Sequence, residues 1–191
     1  MALKLITPAS ALAVTLAEAK LQCQVDGTEQ DALITSLIAA ATKMAEQYTG
    51  RCIMAQTWEL SLDAFPTAIE LTKVSVSAVS YIKYTDTSGV LQTLSNTLYT
   101  VNSSSDFGIT VVVPTYQTLW PDTSDTINAV VCRYVAGYAA AADVPEGIKQ
   151  WIKIMVRTML DNPTKEIVDR STVSSLGYVD SLLDPFKVYP A

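Results

Sequence analysis

The 191-residue sequence predicts an α+β fold: a helical body of about three helices, an inserted small antiparallel β-sheet and an extended C-terminal tail. Three observations carry this expectation. Apolar residues recur at spacings of three and four in two long segments, near 29–49 and 146–159, as in helices with one buried face. Between them lies a stretch rich in Val, Ile and Tyr, alternating in character and broken by Asp, Gly and Pro, as in an antiparallel meander. Beyond Asn162-Pro163 neither period continues.

The elements follow in order. Thr15-Leu-Ala-Glu18 is a capping-box pattern, in which the threonine hydroxyl serves a free amide and the glutamate reaches back. A short helix should run from it to about Gln24, and Val25-Asp26-Gly27 reads as a turn. Thr28 or Asp26 can cap a longer helix over about 29–49. Its positions Leu33, Leu37, Ala41, Met44 and Tyr48, with Ile34, Ile38 and Ala45 alongside, predict a broad buried face. Gly50 is its natural C-cap. Thr57–Leu62 alternates, with Trp58, Leu60 and Leu62 facing inward, and Phe65-Pro66 ends the strand. Residues 68–71 allow a short strand. Val74–Tyr84 is a strand whose alternation slips near Ala78-Val79, where a bulge or a break between two strands is expected. Asp86-Thr-Ser-Gly89 is a hairpin turn. Segments 90–94, 99–102 and 109–113 continue the meander, and Ile127–Tyr134, apolar on both faces, reads as a central strand. Asp143-Val-Pro-Glu146 opens the third helix, with aspartate as cap and proline in the tolerated first turn. Ile148, Trp151, Ile152, Met155, Val156 and Met159 form its apolar stripe. The chain therefore reads as one domain: a helical part over 1–52, a β insertion over 53–138, a third helix within 139–162 and a tail over 163–191 that packs on something, another chain included.

Composition narrows the function. Hydrophobic residues make up 49% and charged residues 17%, well below the usual share of about a quarter, and mean hydropathy is +0.25. So little charge predicts surface buried against other copies or partners. The formal charge of −6 argues against a general nucleic-acid binder, whose affinity rests on cations. There is no histidine, which removes Ser-His-Asp and Cys-His catalysis and histidine metal sites. Cys23, Cys52 and Cys132 are an odd count without a CxxC pair, so no disulfide framework is expected; Cys52 is the one expected to be partly exposed. No GxGxxG or GxxxxGK[ST] loop occurs, and no run approaches the roughly 18 apolar residues of a membrane span. The start, with one lysine and an apolar stretch interrupted by Thr7, Pro8 and Ser10, does not read as a cleaved leader.

Candidate chemistry is sparse. Asp122 with Asp125, and Glu166 with Asp169, sit in polar stretches without a cationic or nucleophilic partner and read as solvated surface. Asp26, Thr28 and Gln30 alternate, but no glutamate closes a calcium loop. No cofactor or metal is expected. Lys149, Lys153 and Arg157 lie at spacing four on the third helix, either as a basic stripe toward a partner or DNA or as the solvated face opposite the apolar stripe. Trp120, before a proline in a loop, is either an interface anchor or a lid folded onto its own chain.

Several fragments share their order with a known family. Leu5-Ile-Thr-Pro8 and Val14-Thr-Leu-Ala-Glu-Ala-Lys20 are followed by Asp31-Ala-Leu-Ile-Thr-Ser-Leu-Ile-Ala-Ala40, Thr49-Gly-Arg51, Gln56-Thr-Trp58 and Phe65-Pro66. Then come Tyr84-Thr-Asp-Thr-Ser-Gly89, Trp120-Pro121, Tyr134-Val-Ala-Gly-Tyr138, Val144-Pro-Glu-Gly-Ile-Lys149 and Leu182-Leu-Asp-Pro-Phe-Lys187. Together they resemble the phage head–tail connector (adaptor) family along essentially the whole chain. Met159-Leu-Asp-Asn-Pro163 departs from the usual end of that family's third helix, which puts the path into the tail in question.

The resemblance implies a non-enzymatic virion protein made in bacterial cytoplasm and located in the neck. It implies a homo-oligomeric ring, twelve copies matching the portal, that extends the DNA channel and offers a surface to the next neck or tail-completion protein. Genomic DNA would pass without sequence-specific binding, and no membrane is involved. The segment Leu182, Leu183, Pro185, Phe186 and Lys187 is then the candidate portal-docking element. Lys149, Lys153, Arg157 and Trp120 are candidates for the subunit interface or the channel face. The alternative is a tail-side neck protein, a stopper or tail-completion protein, that does not contact the portal.

Overall fold

The capping box forms as the sequence predicts. In the computed structural model, which describes residues 1–103, 109–162 and 177–188, Thr15 precedes helix α1 (Leu16–Cys23) and its Oγ1 accepts the Glu18 amide at 3.2 Å. The Glu18 carboxylate accepts the Thr15 amide at 2.8 Å and hydroxyl at 2.6 Å. These bonds hold the Glu18 carboxyl below its ordinary range, with smaller help from Lys149 and Lys153.

Tertiary contacts divide the chain into two compact units, residues 11–54 with 139–191 and residues 1–10 with 55–138. The first unit is helical. It contains α1, α2 (Asp31–Thr49), α3 (Glu146–Asp161) and the short α4 (Gly177–Ser181). α2 begins later than the sequence suggests, behind Gln30, without a side-chain cap. Asp31 is instead an ion-pair partner of Lys20 at 2.7 Å, and that lysine also holds the Gly27 carbonyl at 2.7 Å, which fastens the turn between the helices. Asp143 likewise does not cap α3; it lies in a 3₁₀ turn, and Pro145 occupies the cap position. The core of the unit comprises Ala19, Cys23, Ile34, Ile38, Ala41, Ala45, Ile148, Trp151, Ile152 and Val156.

The broad buried face expected of α2 is only half buried. Ile34, Ile38, Ala41 and Ala45 are covered, whereas Leu33, Met44 and Tyr48, one step earlier on the helix, remain 49%, 41% and 36% exposed. The apolar arc of α2 is wider than its own unit can cover.

The second unit holds eight strands in two antiparallel sheets. Five of them, β1 (Ala2–Thr7), β2 (Gln56–Leu62), β4 (Val76–Thr85), β5 (Leu91–Leu94) and β8 (Val130–Ala136), form a sheet in the order β1-β2-β8-β4-β5. The other three, β3 (Ile69–Leu71), β6 (Tyr99–Asn102) and β7 (Thr110–Pro114), form a sheet in the order β3-β7-β6. β8 is central as predicted, between β2 and β4, and buries Val130, Cys132, Tyr134 and Ala136 on one face. It starts later than expected, and Ile127 is 84% exposed in the preceding loop. The slip in Val74–Tyr84 is real: the β4–β8 register shifts between Val76 and Ala78 and again between Val79 and Tyr81.

The helical reading of 1–52 fails at its start. Residues 2–7 form β1, an edge strand paired with β2 more than fifty positions later. With one short run of alternation and a partner so distant, nothing local marks it as a strand. Cys52, expected to be partly exposed, is 2% exposed, and all three cysteines are buried and outside any disulfide.

Candidate interaction surfaces

The described part of the tail is fastened to its own helical unit. Gly50, in the left-handed conformation at φ 74°, turns the chain out of α2 and delivers Arg51 to the interior, 3% exposed. Arg51 Nε donates to the Phe186 carbonyl at 2.5 Å. Beside it the Val188 amide donates to the Thr49 carbonyl at 2.8 Å. Tyr48 donates its hydroxyl to Asp184 at 3.0 Å, and the Lys187 ammonium lies 4.7 Å from the Tyr48 ring centre. Trp151 Nε1 reaches Asp180 at 3.4 Å. A methyl group on Gly147 would sit 3.0 Å from the Phe186 ring and 3.2 Å from the Leu182 carbonyl oxygen, so α3 needs glycine there for this close approach.

Each tail residue singled out from the sequence therefore has a defined place. Leu183 is fully buried, Phe186 packs on α3, Leu182 and Lys187 are half-buried, and Pro185 is exposed in the 3₁₀ turn Asp184–Phe186. Residues 163–176 and 189–191 lie outside the described residues, as do Glu166 and Asp169.

The three cations of α3 do not present an open basic stripe. Lys149 is 8% exposed overall and pairs with Glu146 at 2.5 Å. Arg157 donates to Asp161 at 2.6 Å and to the Cys23 carbonyl, tying α3 to the end of α1. Lys153 is half-buried and adds to the field around Glu18.

Trp120 folds onto its own unit. Its ring stacks on Phe65 with centres 4.8 Å apart and planes at 6°, and Phe65 meets Tyr84 edge-on at 5.6 Å. Its Nε1 is buried without a hydrogen-bond partner among the described residues. The tryptophan pins the loop between β7 and β8, whose other apolar residues turn outward: Tyr116 is 87% and Leu119 92% exposed. That exposed pair was missed in the sequence because polar neighbours hide it from any periodic pattern. Among the described residues no cluster of Cys, Asp and Glu could hold a metal ion.

The comparisons with known proteins agree with this picture. Residues 13–105 match the family of phage gp6-like head–tail connector proteins. The chain resembles a phage head–tail connector. No curated protein matches it. Among solved structures, the chain is similar to a subunit from the neck of an empty gene transfer agent (GTA) particle determined with C6 symmetry. The identity is 16%, with a TM-score of 0.80, covering 100% of this chain and 97% of that one. A chain from the virion of a native GTA particle gives 17% identity and a TM-score of 0.78, at the same coverage. A chain from the neck of native GTA with C12 symmetry gives 15% and 0.76, again at that coverage. Past the matched family segment, the likeness to these particle chains is one of fold.

Proposed function

We propose that the chain is a structural subunit of a virion neck, a head–tail connector that closes into a ring of twelve copies beneath the portal. There it extends the DNA channel and joins head to tail. The observation that supports this most is the whole-chain fold likeness to neck subunits of particles with sixfold and twelvefold symmetry. A head-to-tail contact that closes by rotation gives such a ring. A chain with 17% charged residues suits burial by neighbours on two flanks, and a net charge of −6 suits a channel wall along which DNA slides. The role requires no catalysis, cofactor or membrane.

On this reading the tail meets the portal while remaining on its own helices. Leu183, Phe186 and the Arg51 clamp hold the segment down, and Pro185, Asp184 and the outer edges of Leu182 and Lys187 form the contact. The far side of the ring receives the next neck or tail-completion protein. The test is co-sedimentation of the purified chain with its own portal ring, imaged by negative stain. A stoichiometric extra tier beneath the portal is the expected result. A folded chain that the portal does not capture overturns the reading in favour of a tail-side neck protein.

A further inference from the structure

α2 carries two apolar rows, and its own unit covers one. The other row, Leu33, Ala40 and Met44 exposed with Leu37 half-buried, runs at spacings of four, three and four, and ends at Tyr48, which the tail occupies. From Ala32 to Thr42 the helix has no ionisable side chain. A solvated helix face is ordinarily its charged face, so the part of this stretch that Ile34, Ile38 and Ala41 do not bury needs another explanation for its lack of charge. The polar groups on this stretch ask nothing of a partner either. Thr35 and Ser36 return their hydroxyls to the Asp31 and Leu33 carbonyls at 2.7 Å each, and Thr42 does the same to Ile38 at 2.8 Å. The face can therefore become dry without stranding a donor. Ala40 on the row and Ser36 beside it are small enough for another helix to approach closely, to interaxial distances of about 8 Å.

Charge and area identify the occupant. With a formal charge of −6, two copies of this chain repel each other, and least where one of the two meeting faces carries no charge. The nearest cation, Lys43, is paired with Glu46 at 3.0 Å, and a single exposed lysine gives little hold on nucleic acid or an anionic lipid surface. The free row is about 18 Å long and presents on the order of 300 Å². A stable pair of proteins buries about 800 Å² on each side, so one such contact is weak alone and gains strength by repetition in a closed ring. A receiving surface exists on the same unit: an open cleft along α1 of about 780 Å³, lined by Leu16, Ala17, Leu21 and Val25 together with Lys20, Gln24 and Asp26; Leu21 is 82% exposed, and Lys20 is neutralised by Asp31 at 2.7 Å.

We infer that the uncharged row of α2 is the seam between copies of this chain, seated in the α1 cleft of the next copy. This inference rests on the ring in the proposed function and names its contact. The test is sedimentation of the chain alone up to millimolar concentration, and of the chain with its portal ring. The chains compared are the parent, Ala40→Glu, Leu21→Glu and Ala32→Glu, all surface substitutions, with far-UV circular dichroism confirming the fold of each. Ala40→Glu and Leu21→Glu are expected to weaken self-association at least tenfold; Ala32→Glu, about a third of a turn off the row, is expected to match the parent. An equimolar mixture of Ala40→Glu and Leu21→Glu should form dimers and nothing larger, because one intact seam survives per pair. Parent-like association of Ala40→Glu or of Leu21→Glu overturns the seam. A parent that self-associates through the seam but is ignored by the portal leaves the seam standing and removes the connector reading. A parent that associates under neither condition removes both.

Discussion

Leu183→Ala tests whether the tail is part of the fold. Leu183 is fully buried, so truncation to alanine gains nothing from solvent. Three carbons lose their burial at about 0.8 kcal/mol each, or about 2.4 kcal/mol. A void of roughly 50 Å³ adds about 1 kcal/mol at 24 cal/mol per Å³. The expected loss is therefore about 3.5 kcal/mol, which for a chain of this length lowers the melting temperature by about 10 °C. The assay is urea unfolding followed through tryptophan fluorescence. Trp151 lies in the helical unit and touches Asp180 of the tail, so its signal reports the release directly. Lys187→Ala is the internal comparison, since a half-exposed cation above the Tyr48 ring is worth no more than about 1 kcal/mol. A Leu183→Ala chain within 0.5 kcal/mol of its parent would refute the packed tail, and with it the division of the segment into a holding side and a contact side.

Thr15→Ala should cost about 1 kcal/mol by removing the helix cap, measured by thermal unfolding. Because the Glu18 carboxyl is held below its ordinary range, its contribution is complete above about pH 4.3 and is lost as pH falls through the lower folded value. The parent should therefore lose stability below pH 4 more steeply than Thr15→Ala. Burial pushes the Cys132 thiol up to about 12 and raises that of Cys23, so at pH 8 a thiol reagent should label neither in the native chain and both in urea. Trp120→Ala should cost about 2–3 kcal/mol through loss of the stack on Phe65, read as a lost near-UV signal and earlier unfolding. Leu119→Ser, by contrast, should leave stability within about 0.5 kcal/mol, since that side chain touches little of its own chain.

Local signals in the sequence proved reliable where the physics is local. The Thr15–Glu18 box, the Gly50 cap, the slip at Ala78-Val79 and the central position of β8 each depend on a few neighbouring residues, and each is present. Features that depend on distant partners were illegible. β1 is a strand only because β2 offers it an edge, and α2 starts behind Gln30 without a side-chain cap, where Asp31 pairs with Lys20 of the preceding helix. The Thr49-Gly-Arg51 fragment was legible as a family mark but not as a mechanism; its arginine is explained only by the Phe186 carbonyl 135 positions away. The reading of α2 shows the opposite fault. Periodicity correctly reported a wide apolar arc, but periodicity cannot say whose atoms cover it.

The distribution of cations bears on how DNA would pass such a ring. Lys20, Lys43, Arg133, Lys149 and Arg157 are each paired with a carboxylate of the same chain. Arg51 is spent on a carbonyl, and Lys73, Lys83 and Lys187 lie over the rings of Trp58, Tyr81 and Tyr48. A lysine or arginine committed in this way is a poor phosphate ligand, because binding DNA means breaking an internal contact first. The field outside is therefore set largely by acids in loops and turns, such as Asp26, Glu29, Asp122 and Asp125, which are not matched by nearby cations in sequence. Phosphate affinity grows with each cation that releases a counterion, and most of the cations among the described residues are committed in this way. Duplex DNA should not be retained by the purified chain at physiological salt, whether monomeric or in a ring. Salt-sensitive retention with a slope equivalent to several phosphates would show that these cations are available to DNA and would refute the reasoning.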